Sequence, residues 1–332
     1  MDRTDLELLL ERYRTAIVGR LWDQWQALGV RGYSKASNPV DWVIDPESLI
    51  LASSNLFGFE PRLRDMVLSW IQLNNGLVSI DRLKRLQTEH AIGEPAALWE
   101  MASILVRSGS RLKSWGSIAN KLAGSAFSAA ESVPVRRDDL VVKFRPFDDP
   151  CLILKVRSLL GVTSRVEILL WLNYHGPSIV SHISQGTGWY GKTVQNTLGE
   201  MALSGHVIED RSGPLRCFYI KPRDWASFFP PRDANEFWVG QHFLYQGVFG
   251  LLRMMERVTK EVSGAAAARI LMIEELRRCY LRFQKARGFL VQEYPSTSRL
   301  IDVIENFVRN TENGDAWPAG AFVLDPHHHQ LD

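Results

Sequence analysis

The stretch from residue 164 to residue 225 constrains the fold most tightly, because three short helical patterns follow one another there and then give way to extended segments. Ser164 and Glu167 have the Ser-x-x-Glu spacing of a capping box, in which a hydroxyl and a carboxylate satisfy backbone N–H groups at a helix start. The apolar run Ile168, Leu169, Leu170, Trp171 and Leu172 stops at Gly176 and Pro177, which a helix does not readily continue through. A second short helix, apolar at Ile179, Val180 and Ile183, reaches Gly186 and Gly188. A third carries Val194, Leu198, Met201 and Ala202 on one face. Beyond Gly205 the pattern turns extended over 207–209 and 217–220. The intervening residues 210–216 include Gly213 and Pro214, which is how a hairpin reads.

Three helices followed by a two-stranded wing is the order of a winged helix-turn-helix. The segment Thr187-Gly188-Trp189-Tyr190-Gly191-Lys192-Thr193-Val194-Gln195-Asn196-Thr197-Leu198, with Met201 and Gly205-His206-Val207 after it, resembles the recognition-helix region of bacterial MarR/ArsR-like winged-helix regulators. The resemblance is limited to residues 164–225. It implies double-stranded DNA as partner and transcriptional regulation as role. The sequence departs from that pattern at Tyr190, where a small capping hydroxyl is usual, and at Gly191, which weakens a helix start by up to about 1 kcal/mol relative to Ala.

The solvent face of the third helix falls on Lys192, Thr193, Gln195 and Asn196, opposite the apolar face, and these are the base-reading candidates. Lys meets guanine acceptors, while Gln and Asn pair in bidentate fashion with adenine. Arg211 and Arg216 flank the wing tip and Arg165 lies near the start of the first helix, all three as phosphate candidates. The plainer reading of each is a solvated polar face. Trp189 and Tyr190 read as packing residues at the turn.

Charge is informative only in its distribution. The chain carries a formal +2 overall, but residues 155–225 hold eight Lys/Arg against five Asp/Glu. A basic excess of that kind agrees with phosphate contact and is small. The 45% hydrophobic and 23% charged content is that of a globular protein, with length for two or three domains. The acidic, Arg-interrupted N-terminus lacks a secretory pattern and no apolar run is long enough to span a bilayer, so the expected location is cytoplasmic without membrane association. Cys151, Cys217 and Cys279 are too scattered for a disulfide framework or a zinc site and read as buried thiols.

Around this segment the chain reads as mainly α. A helical N-terminal region (1–130) has apolar residues at helical spacing over 6–28, including Leu10, Tyr13, Ile17, Leu21 and Trp25, then helices over 46–56, 61–73, 80–86 and 95–106. Asp45 and Pro46 start the second of these as cap and first-turn proline. Trp70 to Gly76 followed by 79–86 echoes Trp171 to Gly176 followed by 178–184. Two readings stand, a degenerate second winged helix or a helical bundle with coincident turns, and the lack of a matching recognition helix favours the bundle. A Ser/Ala/Gly-rich stretch at 124–135 leads into a linker at 131–150, then the winged helix-turn-helix at 151–228. Pro222, Pro230 and Pro231 precede a helical C-terminal region (229–332) for dimerisation or sensing. There Trp238, Phe243, Leu244, Tyr245, Val248, Phe249, Leu251 and Leu252 cover more than one stripe of a helix, which predicts a second cover and hence a two-fold homodimer. Further helices are expected over 270–283 and 298–308.

No phosphate loop, Gly-x-Ser-x-Gly or His-Glu-x-x-His is present, Gly109-Ser110 has no paired acidic motif after it, and no enzyme or cofactor is expected. His182 lacks ligand-spaced partners. The adjacent His327, His328 and His329 do not supply one tetrahedral site, and no metal is expected. The alternative to DNA is an antitoxin-like or scaffold protein whose winged helix binds another protein, since fold does not fix function.

Overall fold

The structure is a computed structural model describing residues 3–31, 40, 42–122, 140–229, 240–261, 265–286 and 309. The stretch 124–135, Pro230, Pro231, Trp238, the expected helix at 298–308 and the triplet 327–329 lie outside the described residues. The chain is mainly helical, with one small three-stranded antiparallel sheet.

The N-terminal helices are α1 (Arg3–Ala27), α2 (Pro46–Ser54), α3 (Pro61–Asn74), α4 (Ile80–His90), α5 (Pro95–Ser108) and α6 (Gly116–Leu122). Their registers follow the apolar spacing: Leu10, Tyr13, Ile17, Leu21, Trp25 and Leu28 are all buried. Asp45 caps α2 as expected, its side chain accepting from the Ser48 amide at 3.3 Å, with Pro46 in the first turn. Two of the buried indoles find acceptors: Trp25 Nε1 donates to Ser53 Oγ and Trp70 Nε1 to the Leu28 carbonyl, both at 2.9 Å. Residues 61–122 hold helices and no strand among the described residues.

The expected linker is docked where it is described. Val141 pairs with Val30 in an isolated bridge, the Ile44 amide donates to the Pro150 carbonyl at 3.0 Å, and Cys151 is buried with Sγ 3.3 Å from the Ala27 carbonyl. Backbone groups left by the end of α1 find their partners in this returning segment, so 140–150 belongs to the N-terminal body rather than to a free tether.

Next come α7 (Leu152–Leu160), α8 (Ser164–His175), β1 (Ser178–Ile179), α9 (Val180–Thr187), α10 (Gly191–Leu203), β2 (Ile208–Asp210), β3 (Cys217–Tyr219) and α11 (Pro222–Trp225). The sheet order is β1-β3-β2, with Ser178 opposite Phe218 and Glu209 opposite Phe218 from the other side. Two strands were expected. The third, β1, is two residues long and too short to leave an alternating pattern. The helices close on a core of Val166, Leu170, Ile183, Val194, Leu198, Met201, Val207 and Phe218. Gly186 is where α9 meets α8, since a Cβ there would fall 1.7 Å from the Trp171 ring.

The Ser164–Glu167 pair does not form the expected capping box. Thr163 is the N-cap residue, without a side-chain cap bond, and Ser164 Oγ instead meets Thr197 Oγ1 at 2.8 Å. Glu167 is drawn inward. Its Oε1 accepts from Arg157 Nη2 at 2.7 Å and Nε at 3.0 Å, and its Oε2 from Trp189 Nε1 at 2.9 Å. A buried guanidinium needs a carboxylate more than an exposed helix end does.

That pair belongs to a larger buried cluster. Arg157 also reaches Glu47 at 2.6 and 2.8 Å and the Leu77 carbonyl at 2.6 Å. Arg82 grips Asp45 with two bonds of 2.6 Å, Glu47 at 2.7 Å and the Thr187 carbonyl at 2.8 Å. Burial opposes charge at Asp45, but the Arg82 guanidinium and the Ser48 hydroxyl hold its carboxyl well below the usual carboxylate range. The neighbouring carboxylates likewise raise Arg82 and Arg157 against the effect of burial.

The C-terminal helices are α12 (Gln241–Glu261) and α13 (Ala265–Ala286). The apolar excess on α12 is covered within the chain: it packs against α1, α2, α4 and α13, and Phe243, Leu244, Tyr245, Val248, Phe249, Leu251 and Leu252 are buried in one core with the N-terminal helices. The homodimer expected from that excess therefore loses its premise, because both faces of the helix already have partners in cis.

The ion cluster makes one expectation quantitative. Arg157→Met leaves Glu47 and Glu167 buried without their main counter-charge and should cost about 3–5 kcal/mol, read as a fall in the urea midpoint. A change below about 1 kcal/mol, the size of an exposed pair, would mean the cluster is solvated.

Candidate nucleic-acid interface

The polar face of α10 is built by its apolar one. With Val194, Leu198 and Met201 buried, helical geometry turns Lys192, Gln195 and Asn196 to solvent, where all three are exposed. Among the described residues none of these three side chains has a hydrogen-bond or ionic partner, so their donors and acceptors face water. Thr193 is half-buried at the edge of the same face. The four base-reading candidates thus share one side of one helix.

The phosphate candidates stand differently. Arg165 is exposed and paired with Glu200 of α10 at 2.6 Å. Arg211 and Arg216 both bond Glu209 on β2, Arg216 at 2.5 Å, and Arg216 also lies 5.0 Å above the Phe218 ring. Hydrogen bonds from Arg216 and Arg211 lower the Glu209 carboxyl from its ordinary value, so it stays charged between them. Asp210 turns the hairpin by accepting from the Ser212 amide at 2.8 Å. Basic side chains are thus gathered at the wing with a carboxylate among them, which a count along the sequence does not reveal.

The turn before α10 is fixed by residues the sequence did not single out. Arg82 holds the Thr187 carbonyl, and Gly188 adopts φ +72° where an added Cβ would lie 2.6 Å from Leu86 of α4. Trp189 is buried, as expected of a packing residue, and anchored on Glu167. Tyr190, also expected to pack, is instead half exposed, and the Arg85 guanidinium lies 4.1 Å over its ring. From α12, His242 Nε2 meets the Gln185 carbonyl at 2.9 Å. A Gly-aromatic-aromatic turn signals packing, but the helix it packs against is a hundred residues away in sequence and carries no local mark.

Two exposed leucines border this surface in sequence: Leu203 at the end of α10 is 91% exposed and Leu215 at the wing tip 60%. His182 is exposed, and no group of His, Cys, Asp or Glu able to hold a metal occurs among the described residues. Cys151 and Cys279 are buried thiols as expected, each pushed up to about 12 mainly by burial, while Cys217 is half-buried. No described helix is long and apolar enough to cross a membrane. No family model matches the chain, and neither curated proteins nor solved structures give a match.

Three histidines bear on how this unit responds to acid. Burial pulls His175, which is stacked at 3.9 Å on Trp171, down to about 4 from an ordinary 6.5. Burial and the Arg85 charge pull His90 down to about 4. His242, whose ring centroid is 4.6 Å from that of His90, is held well below 6.5 by burial and by His90. These folded pKa values lie below the unfolded one, so the unfolded chain takes up protons first as pH falls. Stability from the neutral rings is complete above about pH 6.5 and is lost towards pH 4, at most about 1.4 kcal/mol per pH unit for each ring. Urea unfolding between neutral pH and pH 4.5 should show this decline, and His175→Gln should flatten it. A midpoint independent of pH over that range would contradict the neutral, buried assignment.

Proposed function

We propose that residues 164–225 form a winged helix-turn-helix that binds double-stranded DNA, and that the chain is a DNA-binding transcriptional regulator acting in the cytoplasm. The unit runs helix, strand, helix, helix, strand, strand, with α10 as recognition helix and the β2–β3 hairpin as wing. One observation carries the reading. Lys192, Gln195 and Asn196 project from one face of α10 with no partner among the described residues, in a helix whose opposite face is locked into a core. Lys and the two amides are the side chains that complement guanine and adenine edges in the major groove. A wing beside such a helix reaches backbone or the minor groove through Arg211 and Arg216.

A second reading, a protein-interaction module of antitoxin-like or scaffold type, draws on the exposure of Leu203 and Leu215 and on the carboxylates among the basic side chains. Exposed leucines suit a protein partner, and paired arginines add less to phosphate affinity. The DNA reading does not require a second copy of the chain, so a homodimer on a palindromic site is one form of it and light scattering decides the form.

Selection of a preferred duplex from a random pool, followed by fluorescence anisotropy, tests the reading. Gln195→Ala and Asn196→Ala should each weaken the preferred site by about 1–3 kcal/mol and leave unrelated duplexes nearly unchanged. Equal losses on all sequences would contradict base reading, and no binding to any duplex at low salt would leave the protein-interaction reading.

The wing gives an independent expectation. Glu209→Gln removes the charge that Arg211 and Arg216 share, so affinity for every duplex should rise and log K should fall more steeply with log salt, by up to about 1 per arginine freed for phosphate. An unchanged slope takes the wing out of the interface.

A further inference from the structure

The two places where the start of α10 departs from the winged-helix pattern, Tyr190 and Gly191, have no packing reason among the described residues. Gly191 lies outside the left-handed region, and a Cβ there would meet nothing nearer than Ser184 Oγ at 3.9 Å, so neither backbone nor packing requires glycine. Glycine at such a place leaves the backbone open to close approach from outside. Tyr190 is the N-cap of α10 and makes no side-chain cap bond, so the first-turn amides have no acceptor from it. Its ring is 51% exposed.

Arg85 of α4 stands behind that ring. It is only 8% exposed, with its guanidinium carbon 4.1 Å from the ring centroid, Nε on Glu89 at 2.9 Å and Nη1 buried without a hydrogen-bond partner. A buried donor left in that state is costly, and an acceptor from outside would complete it. Among the neighbouring charges, Arg82 is engaged by Asp45 and Glu47, and Glu89 is the carboxylate that Arg85 bonds. Lys192 is exposed and has no ionic partner among the described residues. Backbone amides, a phenol, a guanidinium and an ammonium are thus gathered at the start of α10, and each can donate.

From this juxtaposition we propose that the N-terminal body takes part in the nucleic-acid interface. A backbone phosphate of duplex DNA seats at the start of α10, accepting from the Tyr190 hydroxyl and the first-turn amides, with the Arg85 guanidinium as its cation. The inference rests on the DNA reading above and extends it beyond residues 164–225, to a helix outside the winged-helix unit. An anion suits a helix N-terminus, where amides and helix dipole both face it. The anion is a phosphodiester because of where the site lies: a strand whose bases meet Lys192, Gln195 and Asn196 carries its phosphates past the start of the same helix. Arg85 can turn from Glu89 to such a phosphate, since the Glu89 side chain is 40% exposed and a pair open to solvent is worth about 0–1 kcal/mol.

Fluorescence anisotropy of the full chain, with the selected duplex and with an unrelated one, separates the two side chains. Tyr190→Phe removes a hydroxyl and no charge, so affinity for both duplexes should fall by about tenfold while log K keeps its dependence on log salt. Arg85→Gln should weaken both duplexes and make that slope shallower by up to about 1, and Arg85→Lys should restore the slope. Wild-type affinity in Tyr190→Phe, or an unchanged slope in Arg85→Gln, would overturn the proposal and leave the DNA reading standing. A loss confined to the selected duplex would put Tyr190 on a base and overturn it as well. If the unaltered chain bound no duplex at low salt, the proposal and the DNA reading would fall together.

Discussion

Five buried charges, on Asp45, Glu47, Arg82, Arg157 and Glu167, hold the two halves of this protein in register. All five side chains are nearly or wholly inaccessible. An isolated buried charge costs several kcal/mol, so each of these is tolerable only while the others are in place. Three carboxylates face two guanidiniums, and the surplus negative charge is met by neutral donors: the Ser79 amide at 2.6 Å on Glu47, the Ser48 hydroxyl at 2.6 Å on Asp45 and the Trp189 indole on Glu167. Asp45 and Glu47 also lie at the start of α2, where the helix dipole favours negative charge. An apolar cluster of the same volume would do as well for stability. What the ionic one supplies is direction, because a forked guanidinium accepts its partners in few geometries.

That directionality reaches the candidate interface. Arg82 joins α2 and α4 to the last carbonyl of α9, and Glu167 joins α7 and α8 to the indole just before α10. Leu86 and Arg85 of α4 close over Gly188 and Tyr190, and His242 of α12 meets Gln185. The start of α10 is therefore fixed from the N-terminal helices, from its own core and from the C-terminal helix together. Its exposed face is held by buried contacts on the opposite side, so the polar residues there need not hold the fold and are free to meet a partner. Such division is expected where a rigid scaffold positions a binding surface.

Periodicity made the helices legible. Apolar spacing in α1, α3, α5 and α10, the Asp45-Pro46 start of α2 and the Gly-Pro end after α8 are local signals that tertiary structure left intact. Where the sequence misled, a distant partner outbid a local one. Ser164 and Glu167 have capping-box spacing, but nothing within that spacing announces that Arg157 will be buried beside Glu167 and Thr197 beside Ser164. The wide apolar surface of α12 pointed outward to a second copy, because sequence order hides that α1, α2 and α4 return to cover it. The face of α10 was readable since it depends only on helical period. The pairing of the wing arginines with Glu209 needed the hairpin register, which sets Glu209 opposite Phe218 between them.

Charge counting also changes meaning once the fold is known. Of the basic residues between 155 and 225, Arg157 is enclosed within the ion cluster and adds nothing to a surface field that its carboxylates do not cancel. Arg165, Arg211 and Arg216 are exposed and paired, and exposed pairs are worth about 0–1 kcal/mol. A polyanion presenting many phosphates can exchange such pairs at little cost, so these arginines remain usable while contributing less than unpaired ones. Lys192 is the cation on the α10 face without a carboxylate partner among the described residues. If the surface reads DNA, the weight of discrimination therefore falls on Lys192, Gln195 and Asn196, while nonspecific affinity depends on how readily Glu200 and Glu209 release their arginines. Since both glutamates sit on the elements that would approach the duplex, the same carboxylates that weaken general phosphate binding raise the relative weight of base contacts, and a modest net charge becomes compatible with selective recognition.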